Sequence, residues 1–183
     1  MSRFIIKGIV LLAITISYSC SIPERKSNAE NKNIENKITQ QDDGIISLKL
    51  EKASCYSDMV NPSNNTAEWS FVVSKPGRYK VWLSSATKDT TDLQYANSVK
   101  VSLLDERLEA RPVGDKIVMN ASDVKYPYYR ADSYIGSFYF QEPGEYSIQV
   151  ISEKVVPKEP ENAASSQASH TKLVSVMLIP ITR

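Results

Sequence analysis

Apolar and polar residues alternate along most of the chain after residue 44, with the period of two that is typical of half-buried β-strands. Residues that favour turns separate these runs, and no segment shows a convincing helical period. The pattern predicts an all-β domain, either an antiparallel β-sandwich or a jelly roll. The apolar positions of the main runs are Ile46, Leu48 and Leu50; Trp69, Phe71 and Val73; Tyr79, Val81 and Leu83; Val99, Val101 and Leu103; Ile135, Phe138 and Phe140; and Tyr146, Ile148 and Val150.

One pattern occurs twice, as "SFVVSKPGRYKVWLSS" from Ser70 and as "SFYFQEPGEYSIQVIS" from Ser137. Each copy is predicted to be a hairpin with a type II turn at Pro-Gly, in which Gly adopts a positive φ. Two copies are too few for a solenoid. They indicate either equivalent hairpins in the two halves of a sandwich or independent use of one turn.

The first 19 residues are predicted to be a lipoprotein signal peptide, because an early Lys is followed by an apolar run from Gly8 to Ile16. "SYSC", ending at Cys20, resembles a lipobox, although Ser17 replaces the usual Leu. The resemblance implies lipidation of Cys20, with a plain secretory signal as the alternative. Ser21 stands where an Asp would imply retention in the inner membrane, so the bacterial outer membrane or cell surface is expected.

Residues 20–43 are polar and rich in Asn, Lys and Glu, which predicts a disordered tether before a single domain over residues 44–183. The net charge of +1 gives no indication of a nucleic-acid partner or of a polybasic membrane patch. If Cys20 carries a lipid, Cys55 has no disulfide partner. We interpret Cys55 as a small buried residue rather than a reactive thiol.

Three stretches resemble the opening half of carbohydrate-binding modules of families six and thirty-five: "LKLEKA" from Leu48, "AEWSFVVSKPGRYKVWLSSA" from Ala67 and "VKVSLLDERLEA" from Val99. The closing strands of these modules resemble "FYFQEPGEYSIQVIS" and "LVSVMLIPI". The same features describe the wider galactose-binding-like β-sandwich group. The resemblance implies a carbohydrate ligand.

The resemblance does not extend to the structural calcium that many of these modules bind. Glu51 matches one of the paired acidic positions on the first strand, but Lys49 occupies the other, and the last strand has no Asp. Calcium takes six to eight oxygen ligands, so the loss of two carboxylates weakens the site. We therefore predict no calcium site of this type and no other metal or cofactor.

Trp82 is the first candidate for sugar contact, because an aromatic face packs against the C–H groups of a pyranose. Strand alternation directs Trp82 away from the face shared by Tyr79, Val81 and Leu83. A ligand role and coverage by a flanking loop both remain open. Trp69 falls on the inward face and is predicted to lie in the core.

The stretch "DVKYPYYRADSY" is the second candidate, because tyrosine-rich loops are common recognition surfaces. The alternative is a crossover whose tyrosines pack over the end of the sandwich. The polar stretch "TKDTTDLQYAN" from Thr87, in which Tyr95 also lies, is a further candidate for hydrogen bonds to hydroxyl groups. The predicted ligand-binding residues are Trp82, Tyr126, Tyr128, Tyr129, Arg130, Asp132, Tyr134, Asp92, Gln94 and Asn97.

Catalysis has little support in the sequence. The single histidine, His170, lies in the Pro-, Ser- and Ala-rich stretch "PKEPENAASSQASHTK", and no Ser or Cys has an evident base. We expect a non-catalytic, surface-anchored glycan-binding lipoprotein. Two other readings stay open: a protein-interaction accessory module of a cell-envelope complex, and a small hydrolase or lyase on a jelly-roll scaffold.

Overall fold

The computed structural model describes residues 37–155 and 171–181. Within these residues the secondary structure consists of strands and two short 3-10 helices, Leu50–Lys52 and Pro62–Asn64. The strands are β1 Ile38–Thr39, β2 Ile46–Lys49, β3 Ser54–Tyr56, β4 Thr66–Val73, β5 Gly77–Thr87, β6 Val99–Leu103, β7 Glu106–Ala110, β8 Lys116–Val118, β9 Tyr129–Phe140, β10 Gly144–Ile151 and β11 Thr171–Pro180. No helix among the described residues is long and apolar enough to cross a membrane.

The strands form two sheets that pack as a sandwich, which confirms the predicted all-β fold. The six-stranded sheet has the order β1-β4-β10-β6-β7, with β3 also paired to β4. The five-stranded sheet has the order β2-β11-β5-β9-β8. The pairings are antiparallel except that of β1 with β4, which is parallel.

The core lies between the sheets and consists of the side chains that the alternation directs inward. Trp69, predicted to lie in the core, is 2% exposed. Its Nε1 donates a hydrogen bond of 2.8 Å to the carbonyl oxygen of Lys49, so the polar atom of the buried indole is satisfied. The other large buried side chains are Tyr79, Tyr95, Phe71, Phe138, Phe140, Ile46, Leu48, Leu83, Ile148, Leu178 and Val73.

The two copies of the repeated pattern are crossovers between the sheets, and the prediction of two hairpins is wrong. β4 lies in the six-stranded sheet and β5 in the other, so the first Pro-Gly carries the chain across the core. The second Pro-Gly carries it back from β9 to β10. Alternation along a strand shows which side chains are buried but not which strand is the neighbour, so it does not distinguish a hairpin from a crossover.

The copies pair with each other in a reciprocal register. Phe71 of the first copy lies opposite Tyr146 of the second, and Phe138 of the second lies opposite Tyr79 of the first. The hydroxyl of each Tyr donates to the carbonyl oxygen of the residue before the Pro, Lys75 in the first copy and Glu142 in the second. The repeat therefore builds two equivalent corners that close the same end of the sandwich.

The glycines of these corners do not form type II turns, which corrects a second prediction. Gly77 has φ +146°, and the φ of Gly144 is not positive. A type II turn would need about +80° at this position. Each Gly is instead the first residue of its strand, β5 or β10, so its backbone belongs to a sheet.

The folded domain begins before Gly44, inside the segment predicted to be a tether. Ile38 is only 7% exposed and lies beside Phe71 across the β1–β4 pairing. Lys37 Nζ lies 2.6 Å from Glu145 Oε2. The composition of this segment did not reveal β1, because the strand has only two residues and one apolar side chain and its neighbours in sequence are polar. Residues 1–36, which include the predicted signal peptide and Cys20, lie outside the described residues, as does His170.

Candidate functional site on the outer face of the five-stranded sheet

Trp82 lies on the outer face of β5, as the alternation predicts, and is neither fully buried nor fully exposed. Its ring packs against that of Tyr134 on β9, with 5.6 Å between the centroids and a tilt of 56°. Tyr134 is 45% exposed. We call this pair of rings the aromatic platform.

An irregularity in strand pairing places Tyr134 beside Trp82. The register between β5 and β9 shifts so that Val81 lies opposite Gly136 while Trp82 lies opposite Tyr134, which leaves Ile135 as the extra residue. A bulge of this kind redirects side chains. Gly136 has φ +153°, a conformation that other residues rarely adopt. The backbone N–H of Tyr134 also donates to Asp115 Oδ2 at 2.7 Å, which fixes the strand at this point.

A buried carboxylate and its cation lie next to the aromatic platform. Asp132 is 3% exposed, and its Oδ1 accepts a hydrogen bond of 2.7 Å from Ser84 Oγ. Arg130 Nε lies 3.1 Å from the same oxygen, although its N–H has no well-oriented hydrogen-bond acceptor. Arg130 also pairs with Asp123, at 3.2 Å. The Arg130 side chain is thus held between two carboxylates, with about a fifth of its surface exposed.

Tyr128 extends this face toward the end of the sandwich. The amino groups of Lys88 and Lys172 lie 5.1 and 5.7 Å from the centroid of its ring, within the range of a cation–π interaction. Tyr126 lies on the preceding loop and is 88% exposed. Tyr129 lies opposite Thr87, on the inward side of the sheet. The predicted residues that the structure gathers on the outer face are Trp82, Tyr128, Arg130, Asp132 and Tyr134.

The polar loop between β5 and β6 lies at the end of the sandwich and not on the sheet face. Asp92 Oδ1 accepts a hydrogen bond of 2.8 Å from the backbone N–H of Gln94, so it shapes the loop. The backbone N–H of Asn97 donates to Glu153 Oε1 at 3.3 Å. The structure records no contact that joins these side chains to the aromatic platform within the described part of the chain.

Tyr95, in the same loop, is 1% exposed and is a core residue. Its hydroxyl lies 2.8 Å from Ser85 Oγ, and burial raises the pKa of Tyr95. It therefore cannot contact a ligand at the surface.

Several residues of this face did not stand out in the sequence: Ser84, Lys88, Asp123, Lys172 and Met177. Lys172 and Met177 face outward on β11, but the register shifts between Leu173 and Ser175 and interrupts the alternation there. Ser84 is polar yet fully buried. Its position after Trp82, two residues along the same strand, is the sequence signal that could have identified it.

No group of three or more His, Cys, Asp and Glu side chains is placed to hold a metal ion within residues 37–155 and 171–181. Glu51, the one acidic residue that matches the calcium position of the resembled modules, lies in the 3-10 helix Leu50–Lys52 and is exposed.

Cys55 lies on β3, half-buried, and burial raises the pKa of its thiol. The thiolate is the reactive form, so a smaller fraction of Cys55 should be reactive in the folded chain than in the unfolded chain at pH 8. We expect iodoacetamide to alkylate Cys55 more slowly in the native protein than in urea. A time course followed by mass spectrometry measures both rates, and the alkylation of a free thiol in the same urea solution corrects for the effect of urea on the reaction. Equal corrected rates for the native and unfolded protein would contradict the expectation.

These features define a β-sandwich with an aromatic and charged patch on one sheet. No protein-family model matches the sequence, and no curated protein matches it. Among solved structures, it is similar to part of an α-L-fucosidase from Vibrio sp. strain EJY3, with a TM-score of 0.62, 19% identity, and coverage of 79% of this chain and 24% of that one. This likeness shows the fold alone.

Two further structures match with lower TM-scores. For the GH26-CBM35 β-(1,4)-mannanase of Podospora anserina the TM-score is 0.46, with 11% identity over 77% of this chain and 28% of that one. For the mosquito-larvicidal Cry4Aa toxin of Bacillus thuringiensis the TM-score is 0.44, with 11% identity over 81% of this chain and 25% of that one. The chain thus spans about a quarter of the length of each of these proteins.

Proposed function

We propose that the protein is a non-catalytic glycan-binding lipoprotein, anchored at the bacterial outer membrane or cell surface through a lipid on Cys20. The main supporting observation is the aromatic platform, in which Trp82 and Tyr134 pack at 5.6 Å on the solvent side of a sheet. The fold itself is shared with a domain-sized part of an α-L-fucosidase, but the ligand is argued from the platform and not from that likeness.

The chemistry of the platform suits a sugar ring. The two rings are tilted by 56°, so each offers its own flat apolar face to pyranose C–H groups, while neighbouring polar side chains satisfy hydroxyl groups. Arg130 retains exposed surface beside the rings and carries several N–H donors in a planar fork. Its ion pairs with Asp123 and Asp132 hold it in one position, so little entropy is lost when a ligand binds.

The same ion pairs argue against catalysis at this face. Glycoside hydrolysis needs two carboxyl groups, one of which donates a proton to the leaving group. Three carboxylates lie beside the platform: Asp123 and Asp132 pair with the Arg130 guanidinium, and Asp115 accepts a hydrogen bond from the backbone N–H of Tyr134. Carboxylates held by such contacts support a binding surface rather than proton transfer.

A glycan-array screen tests the proposed ligand class. We expect the mature chain, residues 20–183 with Cys20→Ser to keep it soluble, to bind a restricted set of related glycans. Failure to bind any glycan on a broad array, by a protein shown to be folded, would count against the proposal. Cross-linking in intact envelopes would then identify a protein partner.

Lipidation predicts a separate result. Cells that express the wild-type chain and are fed radiolabelled palmitate should yield a labelled protein that partitions with membranes. The Cys20→Ser variant should lose the label and its membrane association, because the acylated cysteine is the anchor. Cys55→Ser is the matched control and should be labelled like the wild type. A labelled Cys20→Ser variant would disprove anchoring at this residue.

A protein-interaction accessory module is the second candidate function, and one loop favours it. Met59 and Val60 are 91% and 95% exposed. Asp58 accepts hydrogen bonds of 2.9 Å from the backbone N–H groups of Val60 and Asn61, which fix the loop. These bonds and one from the Asn64 side chain lower the pKa of Asp58. Loss of cross-linking to an envelope protein in a Met59→Ser, Val60→Ser variant would support this alternative.

A further inference from the structure

A pocket of about 260 Å³ opens at one side of the sandwich, where the edge strands β1 and β2 lie beside each other. No Asp or Glu lines it. The lining residues are Lys37, Ile38, Thr39, Gln41, Ser47, Lys49 and Lys52. We call it the lysine pocket.

The charge of the lysine pocket is only partly compensated. Lys37 pairs with Glu145 at 2.6 Å. The side chains of Lys49 and Lys52 are exposed, and their amino groups have no ion pair or hydrogen bond with the described residues. Glu51 is their neighbour in sequence, but it does not line the pocket. Two ammonium groups without a partner among the described residues, in a concave site that Thr, Gln and Ser side chains also line, suit an oxyanion.

One residue of the lysine pocket lies on the same sheet face as the aromatic platform. Ser47, which lines the pocket, lies opposite Met177 on β11, and Met177 lies opposite Trp82 on β5. Residues that pair directly across antiparallel strands point to the same face. Ser47 and Trp82 are therefore two strand spacings apart on the outer face, about 10 Å.

We propose that the lysine pocket binds an anionic substituent of an acidic polysaccharide, a carboxylate, sulfate or phosphate group, while a neighbouring sugar ring lies on Trp82. This inference rests on the proposed function for the ring, but the anion site can be tested by itself. It narrows the ligand from glycans in general to polyanionic ones.

Inorganic sulfate tests the pocket without any sugar. In a titration of the soluble mature chain followed by NMR, sulfate should shift the amide signals of Ser47, Lys49 and Lys52, and the shifts should saturate. The variant Lys49→Gln, Lys52→Gln should lose this response. The control variant Lys100→Gln, Arg107→Gln removes the same amount of charge from the six-stranded sheet and should retain the response to sulfate. Shifts spread evenly over surface lysines, or none at the pocket, would overturn the proposal.

Dextran sulfate, compared with uncharged dextran of the same length, tests the link to the platform. Substitution of the two pocket lysines should weaken dextran sulfate binding about tenfold at 0.15 M salt, because two charge contacts are lost near the ligand. The Lys100→Gln, Arg107→Gln variant should differ from the wild type by less than about twofold, since its charges lie on the other sheet. Equal weakening by both double variants would show only a net-charge effect and would overturn the proposal.

Trp82→Ala separates the two proposals. It should keep the sulfate response at the pocket and lose affinity for dextran sulfate. If it binds dextran sulfate like the wild type while the pocket variant does not, the anion site is supported and the platform is not the sugar site. If it loses both responses although it remains folded, the pocket assignment is wrong.

Discussion

Trp69→Ala lowers the free energy of unfolding by about 3 to 5 kcal/mol, the usual cost of truncating a large aromatic residue in a core. Trp69 is 2% exposed, and its Nε1 donates to the carbonyl oxygen of Lys49. The truncation would leave a cavity between the sheets. It would also leave that carbonyl without its indole donor. Urea denaturation followed by far-UV circular dichroism measures the loss.

Trp82→Ala is the matched control, because it removes the same side chain from the outer face. Part of the Trp82 surface is exposed, and its ring contacts the half-exposed Tyr134, so we expect a loss of about 1 to 2 kcal/mol. Equal losses in the two variants would contradict the assignment of one tryptophan to the core and the other to the surface.

Arg130→Met lowers the free energy of unfolding by about 2 to 4 kcal/mol at pH 7, because it leaves a buried charge without its cation. Asp132 is 3% exposed, and Ser84 would remain as its hydrogen-bond donor among the contacts described. The figure lies below that for a fully buried pair because about a fifth of the Arg130 surface is exposed.

The double variant Arg130→Met, Asp132→Asn tests this explanation. A neutral amide at position 132 can still hydrogen-bond with Ser84 and carries no charge to compensate. We therefore expect the double variant to recover at least half of the loss in the single variant. If the double variant is as unstable as Arg130→Met, lost packing of the arginine stem explains the effect instead of the buried charge.

The sequence was sufficient to predict the class of fold and the faces of individual strands. The period of two placed Trp69 in the core and Trp82 on the outside of its sheet. These are local properties, because successive side chains on one strand must point to opposite faces. The same reasoning failed at the Pro-Gly corners, where the partner strand is chosen by contacts distant in sequence: β4 pairs with β10, and β5 with β9.

The candidate site could be predicted only in part for the same reason. Arg130, Asp132 and Tyr134 lie at alternate positions on one strand, so their shared face follows from the sequence. Their position beside Trp82 follows from the β5–β9 register and its bulge, which no local pattern specifies. Asp92, Gln94 and Asn97 were chosen for their polarity, but the loop that carries them ends at the rim of the sandwich.

Equilibrium binding of a glycan identified on the array tests the central claim most directly. Calorimetric titrations would compare the wild type with Trp82→Ala and with a control variant, Tyr56→Ala. The control removes an aromatic side chain that is 58% exposed on the other sheet. Loss of a stacking face should weaken binding by Trp82→Ala about 30-fold or more, while Tyr56→Ala binds like the wild type. Unchanged affinity in a folded Trp82→Ala protein would contradict the assignment of a sugar site to the aromatic platform.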